Sequence, residues 1–227
     1  MTPECATDTP PAAVRVAQVV PCTEAEGPGK RLALWFQGCP LRCPGCCNPE
    51  FLSFNGGETK TLADLIGRIG HARAESEIEG ITLLGGEPFA HAAPAAALAR
   101  AARDLGLSVM VFSGYTLEQL RPLPDPAVAA LIGLTDILVD GPYLRDQPDT
   151  ARRWVGSTNQ RIHFLTNRYE YDEQWRRRNT LEIRLAGGVI SVNGFPAGDA
   201  VSLWKGWKRK KTPAVPTAHA RPGADPK

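Results

Sequence analysis

Residues 27–50 read GPGKRLALWFQGCPLRCPGCCNPE. Gly27-Pro28-Gly29 is a turn signal, because glycine reaches backbone angles other residues avoid and proline fixes its own. Arg31 to Gln37 is a mostly apolar run that fits a buried strand. Then come Cys39, Cys43, Cys46 and Cys47, four cysteines within nine residues. Cys5 and Cys22 stand apart and read as incidental. A turn, a buried strand and a cysteine loop, in that order, put chemistry at the carboxyl end of a strand. Open α/β sheets collect their functional groups there.

The surroundings repeat this pattern. Upstream, Val14 to Val20 is rich in β-branched residues and predicts a strand. Residues 1–13, rich in Pro, Thr and Ala, read as a disordered leader. Downstream, Thr61 followed by Asp64 is a helix N-terminal signature. Leu62, Leu65, Ile66 and Ile69 then recur at helical spacing and predict one apolar face. Ile81 to Leu84 is a short apolar strand running into Gly85-Gly86-Glu87-Pro88. An Ala-rich helix follows, with Pro94 near its start and Gly106 closing it. Leu98 and Leu105 give that helix a narrow packing face. Ser108 to Phe112 is the next strand and ends at Ser113-Gly114. Thr116 to Leu120 and Ala127 to Ile132 read as helical. Asp136 to Val139 is a strand ending at Asp140-Gly141-Pro142, and Ile162 to Leu165 is a further strand.

Alternating strands and helices imply an α/β fold with a parallel sheet. The span 14–167 leaves room for about five βα units at ~30 residues each. A closed eightfold barrel takes ~250 residues, so an open sheet or partial barrel is expected. The cysteine loop, Gly85–Pro88, Ser113-Gly114 and Asp140-Gly141 then fall on one rim.

After Asn167 the character changes. Residues 168–203 read as an extension. In it Leu181–Leu185 and Val189–Val192 flank Ala186-Gly187-Gly188 as a hairpin. Residues 204–227 hold seven basic side chains and one acid and read as a basic disordered tail. Its interleaved Trp and Lys suit a solvated tail first, partner docking second and nucleic acid last.

The composition limits the alternatives. In 227 residues, 43% are hydrophobic and 22% charged, enough to build a core and too apolar for a wholly disordered chain. The formal net charge is +2, so the chain as a whole is no polycation built for nucleic acid. No apolar run approaches the ~20 residues that span a bilayer. Met1 to Pro11 lacks the basic start and apolar stretch of a secretory signal. A cytoplasmic location is therefore expected, where thiols stay reduced and a tight cysteine cluster reads as a metal or redox site.

Cys39, Cys43 and Cys46 form C-x3-C-x2-C. Thiolates are soft ligands, and this spacing lets three of them converge on a compact centre. The loop holds no His and no second cysteine pair follows, so a closed four-ligand zinc site has little support. A [4Fe-4S] cluster held by three cysteines leaves one iron open to another ligand. Neighbouring side chains point apart, so Cys47 is not expected to serve the same cluster as Cys46.

The segment 27–50 resembles the cluster segment of radical S-adenosylmethionine (SAM) enzymes, above all the activating enzymes of glycyl-radical proteins. Gly85-Gly86-Glu87-Pro88 is similar to that superfamily's motif for the SAM amino group. DILVDGPYL (136–144) followed by WVGSTNQRIH (154–163) resembles the end of the branch that activates anaerobic ribonucleoside-triphosphate reductase. The resemblance covers about residues 14–167, with its motifs in the family's order.

It implies a partial, open βα barrel of radical SAM type, extended by the hairpin and tail. It implies a [4Fe-4S] cluster ligated by Cys39, Cys43 and Cys46, with SAM on the open iron. Glu87 and the backbone of Gly85-Gly86, next to Pro88, would hold the SAM amino group. Ser113 and Asp140 are candidates for SAM or its ribose hydroxyls, and Asp140 serves equally well as a cap for the next segment. The implied reaction is reductive cleavage of SAM to a 5′-deoxyadenosyl radical, which abstracts hydrogen from a glycine of a partner protein. That partner would be an anaerobic ribonucleotide reductase or a formate-lyase-like enzyme. A low-potential donor such as flavodoxin or ferredoxin would supply the electron, and no membrane is involved. The alternatives are radical modification of another peptide or small molecule, and an iron–sulfur electron carrier or sensor.

Two features depart from the pattern. Many superfamily members carry an aromatic residue just before the third cluster cysteine, near the adenine, and Gly45 stands there. A compact activating protein would end soon after His163.

Overall fold

The computed structural model describes residues 12–186 and 189–195. Residues 1–11, the hairpin turn at 187–188 and residues 196–227 lie outside the described residues, and with them Cys5 and the expected tail. The strands are β1 (Ala13–Thr23), β2 (Arg31–Phe36), β3 (Glu58–Thr61), β4 (Gly80–Gly85), β5 (Ser108–Phe112), β6 (Ile137–Asp140), β7 (Arg161–Phe164), β8 (Leu181–Ala186) and β9 (Val189–Gly194). The helices are α1 (Leu62–Ser76), α2 (Ala92–Asp104), α3 (Leu117–Leu120) and α4 (Pro126–Leu134).

Seven strands form one sheet in the order β3-β1-β2-β4-β5-β6-β7. Only β2, β4, β5 and β6 run parallel. β1, β3 and β7 pair antiparallel with their neighbours. The sheet is therefore mixed, which corrects the all-parallel expectation. For β1 and β2 the cause is connection length: only residues 24–30 join them, and a parallel pair needs a crossover of a dozen or more. β3 escapes a periodicity reading because Glu58-Thr59-Lys60-Thr61 has no apolar residue, as suits its place at the sheet edge.

The two sheet faces have different covers. Leu32, Leu34, Phe36, Ile81, Leu83, Val109, Val111 and Leu138 share a core with the apolar sides of α1, α2 and α4. Thr61 caps α1, its Oγ1 accepting from Asp64 N at 3.1 Å. α1 buries Leu62, Leu65, Ile69 and Ala72. Ile66, expected in that stripe, is 37% exposed, because the stripe turns past it toward Ala72. α2 buries small residues with Leu98, whereas Leu105 lies beyond its last turn and is 44% exposed.

On the other face, Met110, Ile137 and Val139 pack with Trp154 and Tyr169, joined by Phe164, Trp175 and Phe195. The chain after Asn167 thus supplies aromatic cover for the second sheet face. At the rim where the parallel strands begin, the fully buried Arg31 donates to Thr82 Oγ1 (2.7 Å), Ser108 Oγ (3.0 Å) and the carbonyls of Pro28 (3.0 Å) and Ile81 (2.6 Å). Tyr169 Oη lies 2.9 Å from the same Ser108 Oγ. The β8–β9 hairpin docks nearby through polar groups. Asn193 Nδ2 donates to Thr23 Oγ1 at 3.0 Å, and Gly194 N donates to Glu26 Oε1 at 2.6 Å. Ile183, Leu185 and Ile190, on the opposite hairpin face, are exposed.

Candidate active site

Register alignment builds the site. Phe36 at the end of β2 stands beside Gly85 at the end of β4, and Phe112 at the end of β5 beside Val139 of β6. The four segments singled out in the sequence therefore leave from one rim.

The cysteine loop is fastened at its start. Gly38 N donates to Phe51 O at 2.8 Å and Cys39 N to Leu52 O at 3.1 Å. Gln37 Nε2 holds the carbonyls of Ser53 (2.6 Å) and Glu50 (3.1 Å). Cys46 N donates to Cys43 O at 3.1 Å, so the second half of the loop folds back as a turn. Cys39 is buried, Cys43 and Cys46 are half-buried, and Cys47 is exposed.

Cys39 and Cys46 are both held above the ordinary thiol range. Burial raises Cys39, and the charges of Glu87 and Cys43 add to that, while the N–H groups of Leu41 and Arg42 act against it. Burial also raises Cys46, opposed by the Asn48 N–H and reinforced by the neighbouring cysteines. Backbone N–H groups aimed at sulfur stabilise a thiolate and tune an iron–sulfur centre. Among the described residues, no three His, Cys, Asp or Glu side chains are drawn together around a single metal ion.

The second segment is joined directly to the first. Gly86 N donates to Phe36 O at 2.7 Å, and Glu87 N to Gly38 O at 3.0 Å. Only glycine permits this approach. Gly85 has φ +95, and a Cβ on Gly86 would lie 2.2 Å from Gly38 O.

Glu87 is 1% exposed. Its Oε1 accepts from Phe89 N and Ser113 Oγ, both at 3.0 Å, and its Oε2 accepts from Gly114 N at 2.8 Å. Burial outweighs those three bonds and pushes its carboxyl up to about 7. None of the ion pairs among the described residues reaches Glu87. A buried carboxylate held by donors but lacking a cation is suited to receive an ammonium group. Ser113 therefore acts on Glu87, and Pro88 opens the one-turn helix that Glu87 caps.

Asp140 sits at the same rim with its oxygens engaged. Leu117 N donates to Oδ2 at 2.7 Å, Arg161 donates to Oδ1 (3.1 Å) and Oδ2 (2.7 Å), and His163 Nε2 stands 2.9 Å from Oδ2. Burial opposes its ionisation, but Arg161, the Leu117 N–H and His163 together hold it below its ordinary range. It anchors the start of α3 to β7. Asn159 Nδ2 donates to Pro142 O at 2.8 Å and Gln160 Nε2 to Gly141 O at 2.9 Å, which fixes the turn after β6.

That turn leads to a feature the sequence did not announce. Pro44, Gly45, Tyr143, Leu144, Arg145 and Asp146 line a cleft of about 520 Å³. Arg145 lies across Gly45, where a Cβ would be 2.4 Å from its Cδ. Burial and a hydrogen bond with Cys47 push the Tyr143 phenol up to about 12. Cys47 thus ties the cysteine loop to the segment after β6. A Tyr three residues past the strand-ending Asp140 was the available signal, and nothing in its spacing marks it.

A family described as a 4Fe-4S single cluster domain matches residues 25–163. The anaerobic ribonucleoside-triphosphate reductase-activating protein of Salmonella typhi is 33% identical over 159 residues, covering 67% of this chain and 99% of that protein. The protein of the same description from Vibrio cholerae is 32% identical over 161 residues, covering 66% and 97%. That of Enterobacteria phage T4 is 28% identical over 154 residues, covering 66% and 94%. The relatives are matched almost end to end by about two thirds of this chain.

Proposed function

The chain belongs to the 4Fe-4S single cluster domain family, among the anaerobic ribonucleoside-triphosphate reductase-activating proteins, and from that premise we propose that it is a radical SAM enzyme that installs a glycyl radical on an anaerobic ribonucleotide reductase. One observation carries the reading. The cysteine loop and the Gly85–Pro88 segment are bonded to each other through Gly86 N and Glu87 N, so three thiols and one cation-seeking carboxylate share a rim.

In this reading residues 14–167 form the radical SAM unit, an open βα barrel built on the mixed sheet, and 168–203 extend it. Cys39, Cys43 and Cys46 would hold three irons of a [4Fe-4S] cluster and leave the fourth for SAM. When bound, the pair supplies one-electron cleavage of SAM to methionine and a 5′-deoxyadenosyl radical, which takes a hydrogen atom from a glycine Cα of the partner. Glu87 would receive the SAM ammonium, assisted by the backbone of Gly85-Gly86. Ser113 Oγ and Gly114 N keep the Glu87 carboxylate aimed. Asp140, its oxygens bonded by Leu117 N and Arg161, holds the rim in register. The cleft beside Gly45 would give the adenosyl part room, with Arg145 lying across Gly45. A low-potential flavodoxin or ferredoxin is the expected electron source.

Anaerobic reconstitution with iron and sulfide, followed by SAM and dithionite, tests this. The expected product is 5′-deoxyadenosine, absent when Cys43→Ala replaces the wild type. No 5′-deoxyadenosine from a loaded protein would leave an electron carrier or sensor, which has no use for Glu87.

A further inference from the structure

His91 lies outside every motif quoted above, yet it sits between the two segments that form the site. It ends the one-turn helix Pro88–His91 that Glu87 caps. Its ring stacks on Phe36, with centroids 5.3 Å apart and planes 10° apart. Phe54 also leans against it, at 5.8 Å and 46°. Phe36 and Phe54 bracket the cysteine loop, one ending β2 and the other following Phe51-Leu52, the loop's backbone anchor.

The stack bears on the loop itself. Gly38, the residue before Cys39, lies so close to Phe54 that a Cβ there would be 2.3 Å from the ring. The carbonyls of Gly38 and Gln37 face the imidazole, and burial keeps it below its ordinary range, hence neutral near pH 7. Nε2 is buried with no hydrogen-bond partner. A ring nitrogen buried without a partner carries a cost. Its worth here is as a flat ring in contact with both Phe36 and Phe54.

We propose that His91 is the positioning residue that couples the carboxylate clasp at Glu87 to the cysteine loop at Cys39. This rests on the reading of the site given above. His91 is assigned a positioning role, not that of a ligand. It acts through Phe54 and Gly38 on one side and through its own helical turn on the other. A shift of the stack moves Gly38, whose carbonyl accepts from Glu87 N at 3.0 Å, and so moves Cys39 relative to Glu87.

The test uses the full chain, reconstituted anaerobically, as wild type, His91→Phe, His91→Gln and His91→Ala. Iron and sulfide content, cluster midpoint potential and the SAM-induced change in the reduced-cluster EPR spectrum are read in each. His91→Phe keeps the stack and is expected to stay near wild type in all three. His91→Gln and His91→Ala are expected to shift the potential and to weaken the EPR response to SAM roughly tenfold in SAM concentration. Far-UV circular dichroism of the cofactor-free variants establishes that they are folded, and if His91→Ala is not, the Phe–Gln pair decides. A wild-type potential and SAM response in His91→Gln, or a loss in His91→Phe as large as in His91→Gln, overturns the proposal. A wild type that takes up no cluster overturns the reading of the site instead.

Discussion

Ser113 Oγ donates to Glu87 Oε1 at 3.0 Å, linking the ends of two adjacent parallel strands, β4 and β5. The same hydroxyl accepts from Tyr115 N at 3.1 Å, so the Ser113 rotor is fixed from both sides. Ser113→Ala removes one of three donors to a buried carboxylate. Such a loss costs about 1–1.5 kcal/mol, so SAM affinity should fall about five- to tenfold with cluster content unchanged. Calorimetric titration of reconstituted protein with SAM measures both.

Glu87 titrates near 7 because burial disfavours its charge. An arriving ammonium favours the charged form, so SAM binding should release a proton wherever Glu87 is protonated beforehand. Affinity should therefore weaken as pH falls from 7.5 to 6, by at most tenfold per pH unit. Glu87→Gln should bind SAM weakly and lose that slope. Titrations at three pH values separate the two effects.

The cofactor-free protein should become less stable as pH rises. Glu26, pushed to about 8 by burial, and Glu87, to about 7, both sit above their ordinary value near 4.5. Their folded forms hold protons that the unfolded chain has already lost. The stability they contribute is complete below pH 4.5 and disappears as pH rises through 7 and 8. Each is on the order of a few kcal/mol. The lowered carboxyls, Asp140 and Asp149, have the opposite sign, and their effect is confined to acid below the ordinary range. Melting followed between pH 5 and 8.5 should show a falling Tm, and Glu26→Gln should flatten its upper part.

Gly86→Ala places a Cβ 2.2 Å from Gly38 O, a backbone atom with little room to move. The two segments must separate, at a cost of about 1–3 kcal/mol. Iron and sulfide content after reconstitution should fall with it. Gly70→Ala, in α1 with nothing within 4 Å of the added carbon, should leave both unchanged.

Ending the chain after Asn167 strips Tyr169, Trp175 and Phe195 from Met110, Ile137 and Val139. Loss of a buried aromatic costs about 3–5 kcal/mol, so this variant should lose well over 10 °C in Tm or fail to fold. A full-length Tm in the shortened chain would show that the second sheet face needs no such cover.

The parallel strands and their rim were legible because each strand is a short apolar run closed by Gly, Ser or Asp at a helix-bearing step. The cysteine loop and Gly85–Pro88 were legible because their spacing is chemically restrictive. The antiparallel edges were not. β1 looks like any β-branched run, and β3 has no apolar residue to place it. The aromatic cover was hidden too, since Tyr169 and Trp175 lie in a charged stretch with no period. The roles of Ser113 and Asp140 differ for a reason no sequence shows: Ser113 bonds to Glu87, while Asp140 is taken up by Arg161, His163 and the start of α3.

The most direct measurement is EPR on the reconstituted, reduced protein incubated anaerobically with SAM and an anaerobic ribonucleotide reductase. The expected result is a stable glycyl radical signal on the reductase, lost in Cys43→Ala, with 5′-deoxyadenosine formed alongside it. Formation of 5′-deoxyadenosine with no radical on the reductase would contradict the account and point to a different substrate.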